Sequence, residues 1–394
     1  MITSLKRRGF FLKKLEFMCP LVGGVLFMVL GACKKAEDRS NLSHVIRIGM
    51  TLPLSGLEAS YGQDSLHGAE LATEELNARG GVLGRKIELV VKDNQSKAGE
   101  TSIIVRDLIS RSHVTALVGE GATGRSLEAA PIAQKNRIPF ISSGSTNVKV
   151  TKIGDYIFRM CFIDTFQGAV MAKFAYSSLG KRNIAVISDN SKDYSIGLAQ
   201  SFSKAFIAMG GRIVAQQIYS AGDKDFSSQL TAIKAAHPDA IFLPSYYTEA
   251  TSIINQAREL GFDVPFLGGD GWDSAEFLKM GGQAVEGVYF VDHFSADNKS
   301  PLVQNFVKSY ARKYGTAPSA LAALAYDSIK LLADAMQRIG ETDPMKVRDA
   351  LAATVDCPAV TGTISFDEDR NPKKAAVIVE VRNHKFNFLK TTEL

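Results

Sequence analysis

The residues 119–124, Gly-Glu-Gly-Ala-Thr-Gly, form a complete G-x-G-x-x-G string. Such a string at the start of a helix lets backbone N–H groups approach an anion, and it is part of the fingerprint of dinucleotide-binding enzymes. Here it lies in the third strand–helix unit of the chain. The segment about 20 residues further on, Phe140–Thr146, has no acid to hold a ribose. The string therefore indicates either a site for an anion, with a carboxylate suited as well as a phosphate, or a simple glycine turn.

A second polar stretch, Ile141-Ser-Ser-Gly-Ser-Thr-Asn147, follows at the end of the next predicted strand. The carboxyl ends of parallel strands meet at one edge of a sheet, and ligands of open α/β sheets bind at that edge. Thr123, inside the glycine string, and Thr146 each have a hydroxyl and an N–H to donate to one carboxylate. Four charge-assisted hydrogen bonds of about 1.5–3 kcal/mol each would supply a large share of the roughly 8 kcal/mol of a micromolar affinity.

The elements that must position these residues have the pattern of an α/β fold. From Val45 onward, apolar runs of strand length alternate with segments of helical period, as in strand–helix–strand units around a parallel sheet. The predicted strands lie near residues 45–51, 86–92, 115–119, 138–142, 183–188, 212–218, 239–243 and 286–291. The clearest predicted helices lie at residues 63–79, from after Tyr194 to Met209, and at 301–314 and 319–339.

The length of the chain predicts two lobes. Its 394 residues exceed what one core usually organises, yet no Pro- or Ser-rich linker divides the chain. We therefore expect short crossing segments near Arg159–Ile163, Tyr289–His293 and Gly362–Phe366. The boundaries that follow are residues 45–161 and 292–363 for lobe 1, and residues 162–291 and 364–394 for lobe 2.

The first 32 residues have the features of a secretory signal peptide. Basic residues up to Lys14 precede an apolar stretch from Phe17 to Leu30, which is shorter than the roughly 20 residues of a membrane span. The next residues complete Leu30-Gly-Ala-Cys33, which resembles the bacterial lipobox. We expect Cys33 to become the lipidated first residue of the mature protein, and residues 33–44 to form a polar tether. The alternatives are a plain signal peptide and an uncleaved anchor.

Charge and composition argue against several other functions. The net charge of +5 falls to +1 once residues 1–32 are removed, so nucleic acid is not an expected partner. The six histidines are scattered, and the sequence has no G-x-S-x-G, H-E-x-x-H or Cys-x-x-Cys motif. We therefore predict no enzyme, no cofactor and no metal. The mature part keeps Cys161 and Cys357, and the sequence leaves open whether they pair.

A series of short motifs runs in order along residues 45–390: Thr51–Gly56, Tyr61-Gly62, Gly68–Glu70, Asn77–Val82, Ser142–Thr146, Asp189–Gly197, Gly222–Phe226, Gly268–Gly271 and Thr361–Thr363. Their order and spacing resemble the periplasmic branched-chain amino-acid-binding proteins, the leucine/isoleucine/valine type of type I solute-binding protein. The resemblance implies two Rossmann-like lobes joined by a three-segment hinge, which close on a small solute and hand it to an ABC importer. It also implies a monomer outside the cytoplasm, whose partners are an amino acid, ABC permease subunits and the membrane that holds Cys33.

The same resemblance assigns contacts with the ligand to lobe 1. Tyr61 lines the mouth of the site, and Thr123 takes the place of a serine that binds the ligand's carboxylate. Gly144 and Thr146 contribute backbone and hydroxyl contacts. Two positions depart from the family pattern, because Asn94 and Ala122 stand where some relatives have a disulfide.

In lobe 2 the resemblance places two tyrosines, Tyr194 and Tyr246, over the ligand. Asp270 accepts the ligand's ammonium, which needs an ionised acceptor in a dry cleft. Trp272, the only tryptophan, is expected to form a wall of the site, with Phe166 as a weaker candidate.

The ligand itself is less sharply defined by the sequence. Arg125 and Trp272 bring charge and bulk near the expected site, so the preference need not be strictly for aliphatic side chains. A branched-chain or related amino acid is the primary expectation. Amides, short peptides and aromatic or acidic solutes are the alternatives, as is a ligand-sensing receptor lobe in place of a transport protein.

Overall fold

A computed structural model describes residues 45–392 of the chain. The predicted signal peptide and the whole predicted tether, with Cys33, lie outside the described residues. The strands are β1 Val45–Leu52, β2 Lys86–Asp93, β3 Ala116–Gly119, β4 Phe140–Ser142, β5 Ile157–Arg159, β6 Asn183–Asp189, β7 Arg212–Tyr219, β8 Ala240–Phe242, β9 Phe266–Gly268, β10 Tyr289–Asp292, β11 Cys357–Ala359, β12 Gly362–Ile364, β13 Ala376–Arg382 and β14 Lys385–Thr392. The α-helices are α1 Ala59–Ala78, α2 Glu100–Ser110, α3 Thr123–Lys135, α4 Asp164–Lys173, α5 Asp193–Ala208, α6 Ser227–Ala235, α7 Tyr247–Glu259, α8 Ala275–Gly281, α9 Pro301–Tyr314, α10 Ala320–Ile339 and α11 Pro344–Ala352.

The first sheet is parallel and has the strand order β2-β1-β3-β4-β5. Its strand β1 is buried without a break from Ile48 to Leu52. Such a run, in place of strict alternation, is expected of a parallel strand covered on both faces. Strand β2 lies on one side of β1 and β3 on the other. This reversal of winding opens a crevice at the carboxyl ends of β1 and β3, where open α/β sheets bind ligands.

The second sheet has the order β14-β13-β10-β9-β8-β6-β7. Strands β6 to β10 are parallel, while β13 runs antiparallel to β10, and β14 antiparallel to β13. Strands β7 and β8 flank β6 on opposite sides. The second sheet therefore has its own crevice, at the carboxyl ends of β6 and β8.

Helix α10 packs along α1, which follows the first strand of the first sheet. The two backbones approach closely at Gly68, where an added Cβ would lie 1.9 Å from the carbonyl oxygen of Ala322. The carboxylate of Asp327, also on α10, accepts the backbone N–H groups of Val360 and Thr361, each at 2.9 Å. The segment after β10 thus packs on elements of the first sheet before the chain rejoins the second sheet at β13.

The sequence-based elements agree well with the structure where the apolar pattern is long. All eight predicted strands are present, although the last begins at Tyr289 and not at 286. The helix predicted over residues 63–79 begins earlier, at Ala59, and the helices predicted at 301–314 and 319–339 match α9 and α10 closely. The strands without a prediction are β5, β9, β11 and β12, of three residues each, and the terminal pair β13–β14.

Cys161 and Cys357 are both free thiols, the first buried and the second half-buried. The pairing that the sequence left open is therefore not formed. Within residues 45–392, every helix is too short or too polar to cross a bilayer.

Candidate functional site

The glycine string joins β3 to α3 at the crevice of the first sheet. Gly119 ends β3 with φ 143°, and a Cβ there would lie 2.8 Å from the carbonyl oxygen of Thr51. The next residue, Glu120, is fully buried and accepts a hydrogen bond from Asn94 Nδ2 at 2.8 Å. Burial raises the pKa of Glu120 to about 8. The Glu120 carboxyl group is therefore buried and neutral near pH 7, and the chain continues from it into α3.

Thr123 begins α3, so its backbone N–H is one of the free donors of a helix N-terminus. This N–H donates to Tyr246 Oη at 3.2 Å, and Tyr246 follows β8 in the second sheet. The Thr123 hydroxyl is buried and has no hydrogen-bond partner. The contact brings the predicted carboxylate site of the first sheet and a predicted tyrosine of the second sheet together.

In the serine-rich stretch after β4, some hydroxyl groups hydrogen-bond to other protein groups, whereas the hydroxyl of Thr146 does not. Ser126 Oγ lies 3.0 Å from Ser142 Oγ and 2.7 Å from Ser145 Oγ, so these groups satisfy one another. Thr146 Oγ1 is buried without a hydrogen bond of good geometry. Gly144 lies against the string, since a Cβ there would be 3.2 Å from the Cα of Gly121. The backbone at Gly144 is therefore packed closely against Gly121, and a larger residue at this position would be crowded.

Asp164, at the start of α4, lies close to the Thr146 hydroxyl. Its carboxyl is buried with no hydrogen bond of good geometry. Burial raises the pKa of Asp164 to about 8, the Thr146 hydroxyl opposes this, and the nearby Asp270 adds to it. Asp164 is therefore a neutral acid near neutral pH.

Asp270 lies just after β9, in a short 3₁₀ turn. Tyr194 Oη donates to its Oδ1 at 3.0 Å, and His293 Nε2 lies 3.1 Å from its Oδ2. The backbone N–H of Asp270 donates to Gln167 Oε1 at 2.7 Å. The Asp270 side chain is 10% exposed, and that of His293 is 1% exposed. The turn therefore presents a nearly dry carboxylate with both oxygens engaged and lone pairs left for a further donor.

The three predicted tyrosines meet at this carboxylate. The rings of Tyr194 and Tyr246 stack at 4.9 Å, and the edge of the Tyr61 ring lies against Tyr246 at 5.8 Å. Tyr61 Oη donates to the carbonyl oxygen of Gly271, next to Asp270. Burial raises the pKa of each of the three phenols well above its usual value. The tyrosines are therefore neutral and act as hydrogen-bond donors and flat apolar walls.

These side chains line a narrow cavity of only about 10 Å³, so they are nearly closed on one another. Residues from the elements of both sheets line the cavity: Tyr61, Gly121, Tyr194, Tyr246, Asp270, Gly271, Asp273, Asp292, His293, Ala320 and Leu321. Four of the predicted site residues therefore lie on one cavity. Thr123 is joined to it through Tyr246, whereas Gly144 and Thr146 are not part of its lining.

Three ionisable residues of this lining were not predicted from the sequence. Asp273 Oδ2 accepts the backbone N–H of Ala320 at 2.5 Å, at the N-terminus of α10, and burial raises the pKa of Asp273 to about 7. Burial and the neighbouring Asp273 raise the pKa of Asp292 well above its usual value. His293 follows directly. A signal was present, because Asp292-His293 stands at the carboxyl end of a predicted strand, where site residues are expected.

The structure corrects the expectation for Trp272. Its indole is fully buried and stacks on Phe277 at 5.1 Å. A Cβ on Gly268 would lie 2.3 Å from the indole, so the glycine makes room for it. Trp272 therefore packs in the core of the second sheet and does not line the cavity, because the turn after Asp270 directs the ring into the space over β9.

Two further side chains that the sequence placed near the site also lie elsewhere. Phe166 is half-buried and lines a separate pocket with Phe162 and residues 371–375. Arg125 lies 3.3 Å from Glu128 and 3.8 Å from Glu58, and it is not part of the cavity lining. Within residues 45–392, no group of three or more His, Cys, Asp or Glu side chains is arranged to hold a metal ion.

Comparison with known proteins finds similarity to one class, the periplasmic solute-binding proteins. The model of the periplasmic binding protein family matches residues 45–385. The Leu/Ile/Val-binding protein homolog 1 of Brucella suis is 31% identical over 330 residues, which cover 83% of this chain and 88% of that protein.

Two solved structures share the architecture. A leucine-binding protein of Thermotoga maritima has 37% identity and a TM-score of 0.85, with 88% of this chain and 98% of that chain covered. A branched-chain amino acid transporter substrate-binding protein of Streptococcus pneumoniae, in complex with isoleucine, has 38% identity and a TM-score of 0.84, with 88% and 99% covered. The predicted type I, two-lobed α/β fold is confirmed, and the chain belongs to the periplasmic binding protein family.

Proposed function

We propose that the protein captures an amino acid, branched-chain or related, outside the cytoplasm and delivers it to an ABC importer. One observation carries the proposal: the buried Asp270 carboxylate, with its two donors, lies on one cavity with Tyr246, which reaches the N-terminus of α3. A negative group for an ammonium thus stands near N–H donors for a carboxylate, as a zwitterion requires. The relatives from Brucella suis and Streptococcus pneumoniae, by their names and bound ligand, support the same class of solute.

Closure of two lobes is the mechanism that the cavity lining supports. We assign residues 45–161 and 292–363 to lobe 1, and residues 162–291 and 364–394 to lobe 2. The first sheet lies wholly within the first range, and the strands of the second sheet lie at residues 183–292 and 376–392. Since both lobes line the cavity, a solute makes all its contacts only when they are together. Binding therefore shifts the population toward the closed form.

Contacts across the cleft support the roles that we propose for the predicted residues. Asp270 receives the ammonium, and the phenols of Tyr194 and Tyr246 cover the solute. Thr123 offers its backbone N–H and its unpartnered hydroxyl to the carboxylate. Tyr246 Oη holds that N–H in the present arrangement, so it shares or yields the donor when a carboxylate binds.

The setting outside the cytoplasm follows from the family, and we propose a lipid anchor as its form. Cleavage before Cys33 would leave a lipidated cysteine and a polar tether up to residue 44. Several acyl chains on one residue meet the roughly two-chain requirement for stable attachment. We further propose a monomer that acts by binding and not by catalysis, with permease subunits as its protein partners.

A second candidate function is a receptor lobe that senses an amide, a short peptide or another small solute. The observation in its favour is that Asp273 and Asp292 line the cavity beside Asp270. Three carboxyl groups exceed what a single ammonium requires. A solute with additional hydrogen-bond donors would use them.

Isothermal titration calorimetry of the mature Cys33→Ser protein against the twenty amino acids tests the proposal. We expect one amino acid or a small related set to bind near micromolar affinity, with a negative heat-capacity change from burial of apolar surface. Asp270→Asn is the control that should weaken the binding by about 10- to 100-fold. The absence of heat and of any thermal shift across the whole panel would refute the amino-acid assignment, and binding of an amide or peptide would favour the second candidate.

A further inference from the structure

His293 lines the cavity with Asp273 and Asp292, and the resemblance assigned no role to it. It follows β10, its side chain is 1% exposed, and its Nε2 lies 3.1 Å from Asp270 Oδ2. The other oxygen of Asp270 accepts from Tyr194 Oη at 3.0 Å. Each oxygen of the proposed ammonium acceptor therefore has one buried protein partner.

The chemistry of this contact fixes the tautomer of the ring. An ionised carboxylate only accepts hydrogen bonds, so the atom that faces Asp270 Oδ2 must carry a proton. The other ring nitrogen of His293, Nδ1, is buried and has no hydrogen-bond partner. A proton on Nδ1 alone would leave a buried donor unpaired and turn the Nε2 lone pair toward a negative oxygen. His293 is therefore the Nε2–H tautomer.

The surroundings of the ring keep it neutral. Burial lowers the pKa of His293, with Lys374 acting in the same direction, while Asp270 opposes the shift. The other acids near the ring are Asp292, its chain neighbour, and Asp273, and burial keeps the pKa of both raised. A neutral ring donates to Asp270 without cancelling its charge, so the charge stays available to a solute.

We infer that His293 is a positioning residue for solute recognition: with Tyr194 it holds the Asp270 carboxylate in the orientation that receives the solute's ammonium. The inference rests on the proposed function, since it needs an ammonium at Asp270. The ring is itself fixed, because it lies against Phe162 with ring centroids 3.7 Å apart. Phe162 belongs to the first chain crossing and His293 to the second, so the donor is anchored between two crossing segments.

Two variants separate positioning from packing in the mature Cys33→Ser protein. His293→Met keeps an apolar side chain of similar bulk but loses the donor, whereas His293→Gln keeps an N–H donor near the position of Nε2. We expect His293→Met to weaken the amino acid found by calorimetry about tenfold or more, as the loss of one charge-assisted hydrogen bond implies. His293→Gln should stay within about threefold of the wild type.

A double-mutant cycle with Asp270→Asn supplies the readout that a packing role would not move. If His293 acts through Asp270, then His293→Met should have no further effect on any residual binding to Asp270→Asn. An equal loss in both backgrounds would overturn the inference, as would wild-type affinity in His293→Met. Failure of the wild type to bind any amino acid would instead overturn the proposed function, and this inference with it.

Nuclear magnetic resonance gives a test that is read on the wild-type protein, and a variant is needed only to assign the signals. The ¹⁵N shifts of the imidazoles in the unliganded wild-type protein at pH 7 distinguish the two neutral tautomers and the cation. The His293 signals, assigned by their absence in His293→Gln, should report a proton on Nε2 and none on Nδ1. An Nδ1–H tautomer or an imidazolium at pH 7 would refute the role assigned to the ring.

Discussion

The carboxylate of Asp270 is held by groups that donate without carrying charge. Tyr194 and His293 satisfy one oxygen each, and burial keeps the phenol and the imidazole neutral. A cationic protein side chain in place of either partner would neutralise the negative charge to which an ammonium binds. At the scale of the residue, the Asp270 carboxylate is thus nearly buried and has no cationic partner among the described protein residues, so its negative charge is available to an ammonium.

Asp270→Asn should lower the affinity for the amino acid by about 10- to 100-fold. The amide keeps the shape of the side chain but replaces a charge-assisted hydrogen bond, worth about 1.5–3 kcal/mol, with a weaker one. Calorimetry measures the affinity, and the thermal midpoint of the unliganded variant serves as the folding control. Unchanged affinity would show that Asp273 or Asp292 receives the ammonium, or that the solute has none.

Sequence reasoning found the residues of this site unevenly. Tyr61, Tyr194 and Asp270 stand in short motifs, Tyr246 follows a predicted strand, and the structure brings all four to the cavity. Trp272 stands two residues after Asp270 yet packs in the core, because two residues of a 3₁₀ turn, at three residues per turn, direct its side chain to a different side.

At the scale of the element, the pattern of the sequence predicts the long helices and eight of the strands, but it misses four strands of three residues and the terminal pair β13–β14. Strands β5 and β9 have three residues each, which is too few for a period to be visible beside ordinary apolar runs. The start of α1 at Ala59 was also missed, since Glu58 makes no side-chain cap and no other signal marks the boundary. These short elements depend on their neighbours in the sheets, and local preference does not encode those neighbours.

Two glycines on helices offer a matched test of the packing that surrounds the site. A Cβ on Gly68 would lie 1.9 Å from the Ala322 carbonyl oxygen, whereas a Cβ on Gly124 would meet nothing within 4 Å. Gly68→Ala should therefore lower the free energy of unfolding by about 1–3 kcal/mol, through overpacking between α1 and α10. Gly124→Ala should leave it unchanged or raise it by up to about 1 kcal/mol, through helix propensity.

Urea denaturation followed by circular dichroism measures both variants. Gly124 is the last glycine of the G-x-G-x-x-G string, which in a dinucleotide-binding fold allows close packing of helix on strand. A tolerated Gly124→Ala would show that such packing is not present here. Equal destabilisation by the two substitutions would contradict the assignment of a close helix contact to Gly68 alone.

At the scale of the whole molecule, several buried acids should make stability fall as the pH rises. Burial raises the pKa of Glu120 and Asp164 to about 8 and that of Asp273 to about 7. Between pH 6.5 and 7.5 the unfolded chain has released these protons while the folded protein still holds most of them. The unfolded state then binds fewer protons, so the free energy of unfolding falls, by up to about 1.4 kcal/mol per pH unit for each group.

Glu120→Gln should make this decrease less steep, because glutamine keeps an oxygen to accept from Asn94 and has no proton to lose. Thermal or urea unfolding at several pH values in this window measures the slope. Glu259→Gln, at an exposed position on α7, is the control for the change in net charge and should leave the slope as it is. A wild-type slope that rises with pH would contradict the neutral state assigned to these acids.

The contacts across the cleft also predict how the molecule can be locked. Ser60 Oγ on α1 lies 2.8 Å from Ser274 Oγ, which precedes α8 in the other lobe. Because the contact requires the lobes to be together, the oxidised double variant Ser60→Cys/Ser274→Cys should trap the closed form. Added amino acid should then bind at least about tenfold more slowly, and reduction should restore the wild-type rate, since entry needs the cleft to open.

Stopped-flow fluorescence or surface plasmon resonance measures the association rate before and after reduction, with each single cysteine variant as a control for the substitution itself. Cys161 and Cys357 are free thiols, so both are replaced by alanine in all of these proteins. An oxidised, fully cross-linked protein that binds the amino acid at the wild-type rate would show that the cavity admits solute without parting of the lobes. This result would contradict the proposal that closure of the lobes encloses the solute. It would not affect the roles proposed for Asp270 and His293, which have separate tests.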